Sequence, residues 1–202
     1  MLKVGLTGSI AVGKSFVLSV LAELGCHVLD ADATARDVVA PGTLGLKAVV
    51  ETFGRDFLNP DGSLDRAKLG AVVFADEAKR EQLNSILHPF IIAAQDVQMR
   101  EWEKKDSQGI AVVDAALMIE SGGYRRFDKL LVVHCRPEVQ LERLISRDAI
   151  SRDEAEQRIG AQMAQEEKKR YADFLIDSSE GFESTRRQTE IVFEKLSALR
   201  RM

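Results

Sequence analysis

The segment Gly8-Ser9-Ile10-Ala11-Val12-Gly13-Lys14-Ser15 decides how the rest of the chain is read. It fits the pattern GxxxxGK[ST] in full, the signature of a loop that wraps a phosphate chain. The glycines at 8 and 13 let the backbone turn tightly, with N–H groups aimed inward at an anion. A helix opening at Lys14 would add its unsatisfied N–H groups and the positive end of its dipole. Nucleotide contacts are therefore expected from Gly8, Ala11, Val12, Gly13, Lys14, Ser15 and Phe16. Lys14 would reach the β- and γ-phosphates, the Ser15 hydroxyl would ligate Mg2+, and Phe16 would offer only its backbone N–H.

Outward from this loop, short apolar runs read as buried parallel strands: 3–7 (KVGLT), 27–30 (HVLD), 110–114 (IAVVD), 130–134 (LLVVH) and 172–177 (ADFLID). Helical patterns lie between them, over 14–24, 65–105 with an interruption at Pro89, 137–147, 151–171 and 183–201. Pro137 suits a first helical position. Strands alternating with helices predict an α/β fold of three layers around a mostly parallel, five-stranded sheet. With the loop after the first strand, this is the P-loop NTPase architecture. About eighty residues separate the second and third strands. One crossover helix needs far fewer, so an inserted helical subdomain over 33–108 is expected within a single domain of 1–202. The segment 137–171 is long and densely charged. It reads either as a solvated pair of helices or as a mobile lid.

Composition narrows the class. Of 202 residues, 45% are hydrophobic and 30% charged, a globular balance. A formal net charge of −4 argues against a non-specific nucleic-acid binder, which is normally basic. No apolar run approaches the roughly 18–20 residues of a membrane span, and the N-terminus has no long apolar core. A cytoplasmic protein with no membrane or nucleic-acid partner is expected. Cys26 and Cys135 lie far apart, with no CxxC pair, and read as two reduced, buried thiols. His27, His88 and His134 show no metal-ligand spacing. His27 and His134 border strands and read as structural; Trp102 reads as packing.

No NKxD-type guanine motif accompanies the loop, which favours a small-molecule kinase over a nucleotide switch. Such a kinase needs a carboxylate at the acceptor hydroxyl and cations for the transferring group. Asp30-Ala31-Asp32 is read as the end of the second strand, at the carboxyl edge of the sheet where ligands bind. On an extended segment residues i and i+2 face the same side, so both acids would point together. Proton acceptance, a share in holding magnesium, and helix capping all remain open for them. Arg36, four residues on from Asp32, is an ion-pair or phosphate-contact candidate. Arg143 and Arg147 would sit one turn apart on a helix face. They serve either the transferring phosphoryl group or ordinary pairs with Glu138, Glu142, Asp148 or Asp153. Arg152, Arg158, Lys168, Lys169 and Arg170 read as solvated helix faces.

Several of these segments together resemble dephospho-coenzyme A kinase: GSIAVGKS, DADATAR (30–36), GSLDRAKLGAVVF (62–74), LHPFI (87–91), VVDAALMIES (112–121), QLERLISRDAISRDEAEQRIGAQM (140–163) and ADFLIDSS (172–179). The resemblance runs through almost the whole chain, in order. It implies transfer of a phosphoryl group from ATP, with Mg2+, to the ribose 3′-hydroxyl of dephospho-CoA. It further implies that Asp32 orients or deprotonates that hydroxyl and that Asp30 and Arg36 lie near the acceptor. His88 and Pro89, of the LHP motif, would border the acceptor site in the inserted region. Arg143 and Arg147 correspond to lid arginines, and Gln162 to a position near the nucleotide. Two departures stand out. Ala116 replaces a proline frequent after the third-strand Asp, which would loosen that loop. Ser178 replaces an asparagine frequent after the last strand, at a contact near the adenine. A nucleoside monophosphate kinase, or a P-loop switch protein, is the alternative; the DAD and LHP motifs weigh against both.

Overall fold

The computed structural model describes residues 1–199. Residues 1–30 and 102–199 form one compact unit, and Ala31–Glu101 a second. No helix among the described residues is long and apolar enough to cross a membrane.

The first unit is built on a sheet of five parallel strands. They are β1 (Leu2–Thr7), β2 (His27–Asp30), β3 (Ile110–Asp114), β4 (Lys129–His134) and β5 (Phe174–Asp177). Their order is β2-β3-β1-β4-β5. β1 therefore sits between strands that lead away on both sides, and a crevice opens beyond its carboxyl end. The loop Gly8–Gly13 follows directly, then α1 (Lys14–Glu23). One sheet face carries Val4, Leu6, Ile110, Val112, Leu131 and Val133, buried with Val17 and Leu21 of α1 and with Val192 and Leu196 of α9 (Gly181–Leu199). The other face is covered as well: a Cβ on Gly5 would meet the Met118 sulfur at 2.5 Å. Burial on both faces explains why these strands are continuous apolar runs rather than alternating ones. The same unit carries α6 (Pro137–Asp148), α7 (Arg152–Gly160) and α8 (Gln165–Lys169).

The second unit holds α2 (Ala31–Asp37), α3 (Leu44–Phe53), α4 (Arg66–Ala75) and most of α5 (Glu77–Lys105). Its core gathers Val39, Leu46, Val49, Leu64 and Leu69. Thr43 caps α3: its hydroxyl accepts from Leu46 N–H at 3.2 Å and donates to the Val38 carbonyl at 2.7 Å.

Two expectations about elements change. The helical stretch 65–105 does not break at Pro89, which lies inside α5. Its fixed φ is already helical, so its missing N–H removes one bond from a helix of 29 residues without ending it. The break falls at Asp76, where the chain turns extended and the side chain accepts from Lys79 N–H. The stretch 151–171 is two helices, α7 and α8, separated around Ala161–Ala164. The last expected turn of the final helix, at 200–201, lies outside the described residues.

Candidate active site

The loop after β1 gets its shape from positions that admit no alternative. Gly8 has φ +154°, and a Cβ there would lie 2.3 Å from the Val133 carbonyl oxygen of β4. Gly13 is the N-cap of α1 at φ +88°, and no side chain caps that helix. No side chain takes its first-turn N–H groups, and that of Phe16 donates to the Gly13 carbonyl at 3.2 Å. Ala11 takes φ +61° although it carries a Cβ.

The loop is then tied down from outside. The Ser178 hydroxyl, just past β5, donates to the Val12 carbonyl at 2.8 Å. Ile10 N–H donates to Gln162 Oε1 at 2.8 Å, and Gln140 Nε2 donates to the Ile10 carbonyl at 2.8 Å. Ser9 Oγ donates to the Met163 carbonyl at 3.4 Å.

Beside the loop lies a cavity of about 570 Å3. Ala11, Val12, Gly13, Lys14, Ser15 and Phe16 line it, together with Arg143, Arg147, Ser178, Phe182 and Thr185. The fold thus brings the loop and both arginines of α6 to one space. The two arginines are held differently. Arg143 donates to Ser178 Oγ at 2.9 Å and to the Ser178 carbonyl at 2.8 Å, so a neutral residue orients it. Arg147 donates to Asp148 at 2.7 and 3.2 Å, and Arg158 reaches the same carboxylate at 2.9 Å. Of the acids near in sequence, Asp148 takes the Arg147 pairing, and its carboxyl is held below the usual range by the Arg147 hydrogen bond. Burial pushes the Cys135 thiol up, against the nearby Arg143 charge. Cys26 and Cys135 are both buried thiols, not joined in a disulfide. Phe16 and Phe182 rings approach at 4.8 Å, tilted by 56°.

The acidic segment after β2 differs from its expected form. β2 ends at Asp30, paired in register with Asp114, and α2 begins at Ala31. Asp32 is therefore in the first turn of a helix rather than at the end of a strand. The alternation that would have pointed Asp30 and Asp32 the same way does not apply, because the backbone turns helical between them. Asp32 and Arg36 share α2, one turn apart, and both are exposed. His88 and Pro89 are exposed on α5, while neighbouring Leu87 packs toward the core of the second unit.

Lys168 also departs from its expected place. It is fully buried, not solvated. Its ammonium donates to both Glu120 oxygens at 2.7 and 2.9 Å and to the Ala116 carbonyl at 2.9 Å. Burial holds its pKa below the ordinary value, and the charge of Lys14 acts in the same direction. Thr7 Oγ1 donates to the Ala115 and Ala116 carbonyls, so the loop without its proline is fastened by side chains instead.

Sequence reasoning passed over Ser178 as an anchor, Gln140 as a buried amide with Gln165 bonded to it, and Phe182. Gln140 did leave a signal: it is four residues before Leu144 on the buried face of α6, a polar residue at a core position.

A family model for dephospho-CoA kinase matches residues 2–184. The chain is 42% identical to the dephospho-CoA kinase of Geobacter sulfurreducens, covering 95% of this chain and 97% of that one. It is 44% identical to the dephospho-CoA kinase of Streptomyces avermitilis, over 97% of this chain and 94% of its relative. Among solved structures it is similar to dephospho-CoA kinase from Campylobacter jejuni, with TM-score 0.73, 29% identity and 97% of each chain covered. With a family match over residues 2–184 and relatives well above 30% identity, the chain belongs to the dephospho-CoA kinase family.

Proposed function

We propose that this protein transfers the γ-phosphoryl group of ATP to the ribose 3′-hydroxyl of dephospho-CoA, giving CoA and ADP in the last step of coenzyme A synthesis. The observation that carries the reading is the cavity where a preshaped phosphate loop, Lys14, Ser15, Arg143 and Arg147 meet in a chain of this family.

The loop N–H groups and Lys14 hold the triphosphate. Arg143 and Arg147 face the charge that spreads over the transferring group. Asp32 accepts the proton of the 3′-hydroxyl or orients it, as the bond from that oxygen to γ-phosphorus forms and the β–γ bridge bond breaks. Asp30, Arg36, His88 and Pro89 serve the acceptor. Residues 33–108 are the acceptor-binding insertion, and residues 137–171 act as a lid that excludes water, whose attack would waste ATP.

The residues fit Mg2+: Ser15 is exposed at the cavity and offers one hydroxyl. Magnesium keeps several waters and is commonly held by one or two protein groups plus phosphate oxygens, so a larger protein cage is not required. When bound, the ion supplies charge neutralisation at the β- and γ-oxygens. The protein works in the cytoplasm on two small anionic substrates. Backbone N–H groups and a few cations make a local positive site in a chain of net charge −4.

The test incubates the protein with Mg-ATP and dephospho-CoA, and separately with nucleoside monophosphates, identifying products by mass. CoA and ADP are expected from the first mixture only. Phosphorylated monophosphates without CoA would replace this reading with the nucleoside monophosphate kinase one.

A further inference from the structure

Ala11 is in a left-handed conformation that a residue with a Cβ enters only when its surroundings over-determine it. Two glutamines supply that determination. Gln162 accepts from the N–H of Ile10, and Gln140 donates to its carbonyl, each at 2.8 Å. The Ile10 carbonyl belongs to the same peptide plane as the Ala11 N–H, and in a trans peptide the two point opposite ways. Holding the carbonyl toward Gln140 therefore fixes the direction of the Ala11 N–H, at a residue that lines the cavity.

The glutamines are themselves oriented. Gln140 is 2% exposed. Its oxygen accepts from Gln165 Nε2 at 2.8 Å, and the Gln165 oxygen accepts from Cys135 N–H, just past β4, at 2.9 Å. A buried amide whose donor and acceptor are both engaged, one of them on the loop, is more than filler. Gln162 is placed by the next residue, since Met163 N–H donates to Glu120 at 3.3 Å and Met163 carbonyl accepts from Ser9. Lys168 in turn grips Glu120. The chain of bonds runs from the sheet through α8 and α6 to the loop, and back through the turn after α7.

We infer that Gln140 and Gln162, with Gln165 behind them, are positioning residues that set the phosphate-cradling backbone, so that the segment 137–171 controls the nucleotide site through Ile10. This deepens the proposed function and rests on the loop being the ATP site.

The experiment compares Gln140→Met, Gln140→Glu and Gln162→Met with the wild type. It measures ATP affinity by calorimetry, steady-state KM for each substrate, kcat and Tm. Gln140→Glu keeps an acceptor for Gln165 and replaces the donor to Ile10 by a charged acceptor oxygen, whereas Gln140→Met removes both without adding charge. Loss of one such bond should weaken ATP binding and raise KM for ATP about tenfold. KM for dephospho-CoA should change less than about twofold. A merely structural role would lower Tm and the active fraction while leaving KM for ATP alone. ATP affinity within about twofold of wild type in Gln140→Glu and Gln162→Met would overturn the inference. Gln162 lies nearer the surface than Gln140, so its variant serves if the buried one fails to fold. The readout is ATP affinity, so a wild type that binds ATP yet makes no CoA defeats the acceptor assignment and leaves this test standing. A wild type that does not bind ATP defeats both.

Discussion

The loop after β1 and the short helix after β2 are both read as working parts, yet they are built in opposite ways. In the loop, Gly8, Ser9 and Val12 are buried, the backbone of Ile10 and Val12 is hydrogen-bonded to three side chains, Gln162, Gln140 and Ser178, and the Ser9 hydroxyl donates to the Met163 carbonyl. α2, by contrast, buries no residue, and its Asp32 and Arg36 are exposed. The loop is thus held from several sides by its neighbours, whereas α2 lies near the surface, with its Arg36 carbonyl accepting from Arg66 at 2.8 Å. Changes in the first region should therefore disturb folding and ATP binding together. Changes in the second should disturb turnover alone.

The largest effect is expected from Lys14→Ala. Removing the cation from the preshaped loop should lower kcat/KM by about 10³-fold or more and weaken ATP binding, read by kinetics and calorimetry. Asp32→Asn is expected to lower kcat by about 10²–10⁴-fold, the usual range for a lost acid–base group. Because Asp32 is exposed, its Tm and ATP affinity should stay near wild type. Near-normal turnover would remove Asp32 from the mechanism and dissolve the contrast between the two regions.

Gly8→Ala sharpens the contrast from the other side. The added methyl would sit 2.3 Å from the Val133 carbonyl at a φ of +154°, so β4 or the loop must move. Destabilisation of about 3 kcal/mol is expected in urea unfolding, with loss of ATP binding. A variant that is stable and still binds ATP would show that the loop is less constrained than its bonds imply.

The smallest effect separates the two arginines of α6 that line the cavity beside the loop. Asp148 holds Arg147 and has its carboxyl lowered by that hydrogen bond, while Arg143 is held by neutral Ser178. A carboxyl lowered on folding adds stability above its ordinary range, and that stability is lost as pH falls through the lowered value. Asp148→Asn should therefore flatten the fall in Tm on the acid side of about pH 4. Ser178→Ala should leave the shape of that profile unchanged. An unaltered profile in Asp148→Asn would contradict the assignment.

The features legible in the sequence were those whose causes are local. Gly8 and Gly13 announce their turns, and continuous runs such as 110–114 announce strands covered on both faces. All five strands fall within about two residues of where the apolar runs place them. Features caused by distant partners were not legible. Lys168 sits in a run of charges and reads as solvated, but its carboxylate partner is 48 residues away in sequence. Gln140 meets Ile10 across 130 residues. The start of α2 at Ala31 was lost because the strand-like run before it continues smoothly into the acidic segment. Pro89 misled for a different reason: propensity argues against proline inside a helix, and the turns on either side of it carried the helix through.

The most direct test of the whole account follows the phosphoryl group itself. The protein is given ATP labelled in the γ-phosphate, with Mg2+ and dephospho-CoA, and the label is located on the product by phosphorus NMR and mass spectrometry. Label is expected on the ribose 3′-oxygen of CoA, with one ADP formed per CoA. Label released as inorganic phosphate, or placed on any other acceptor atom, would contradict it.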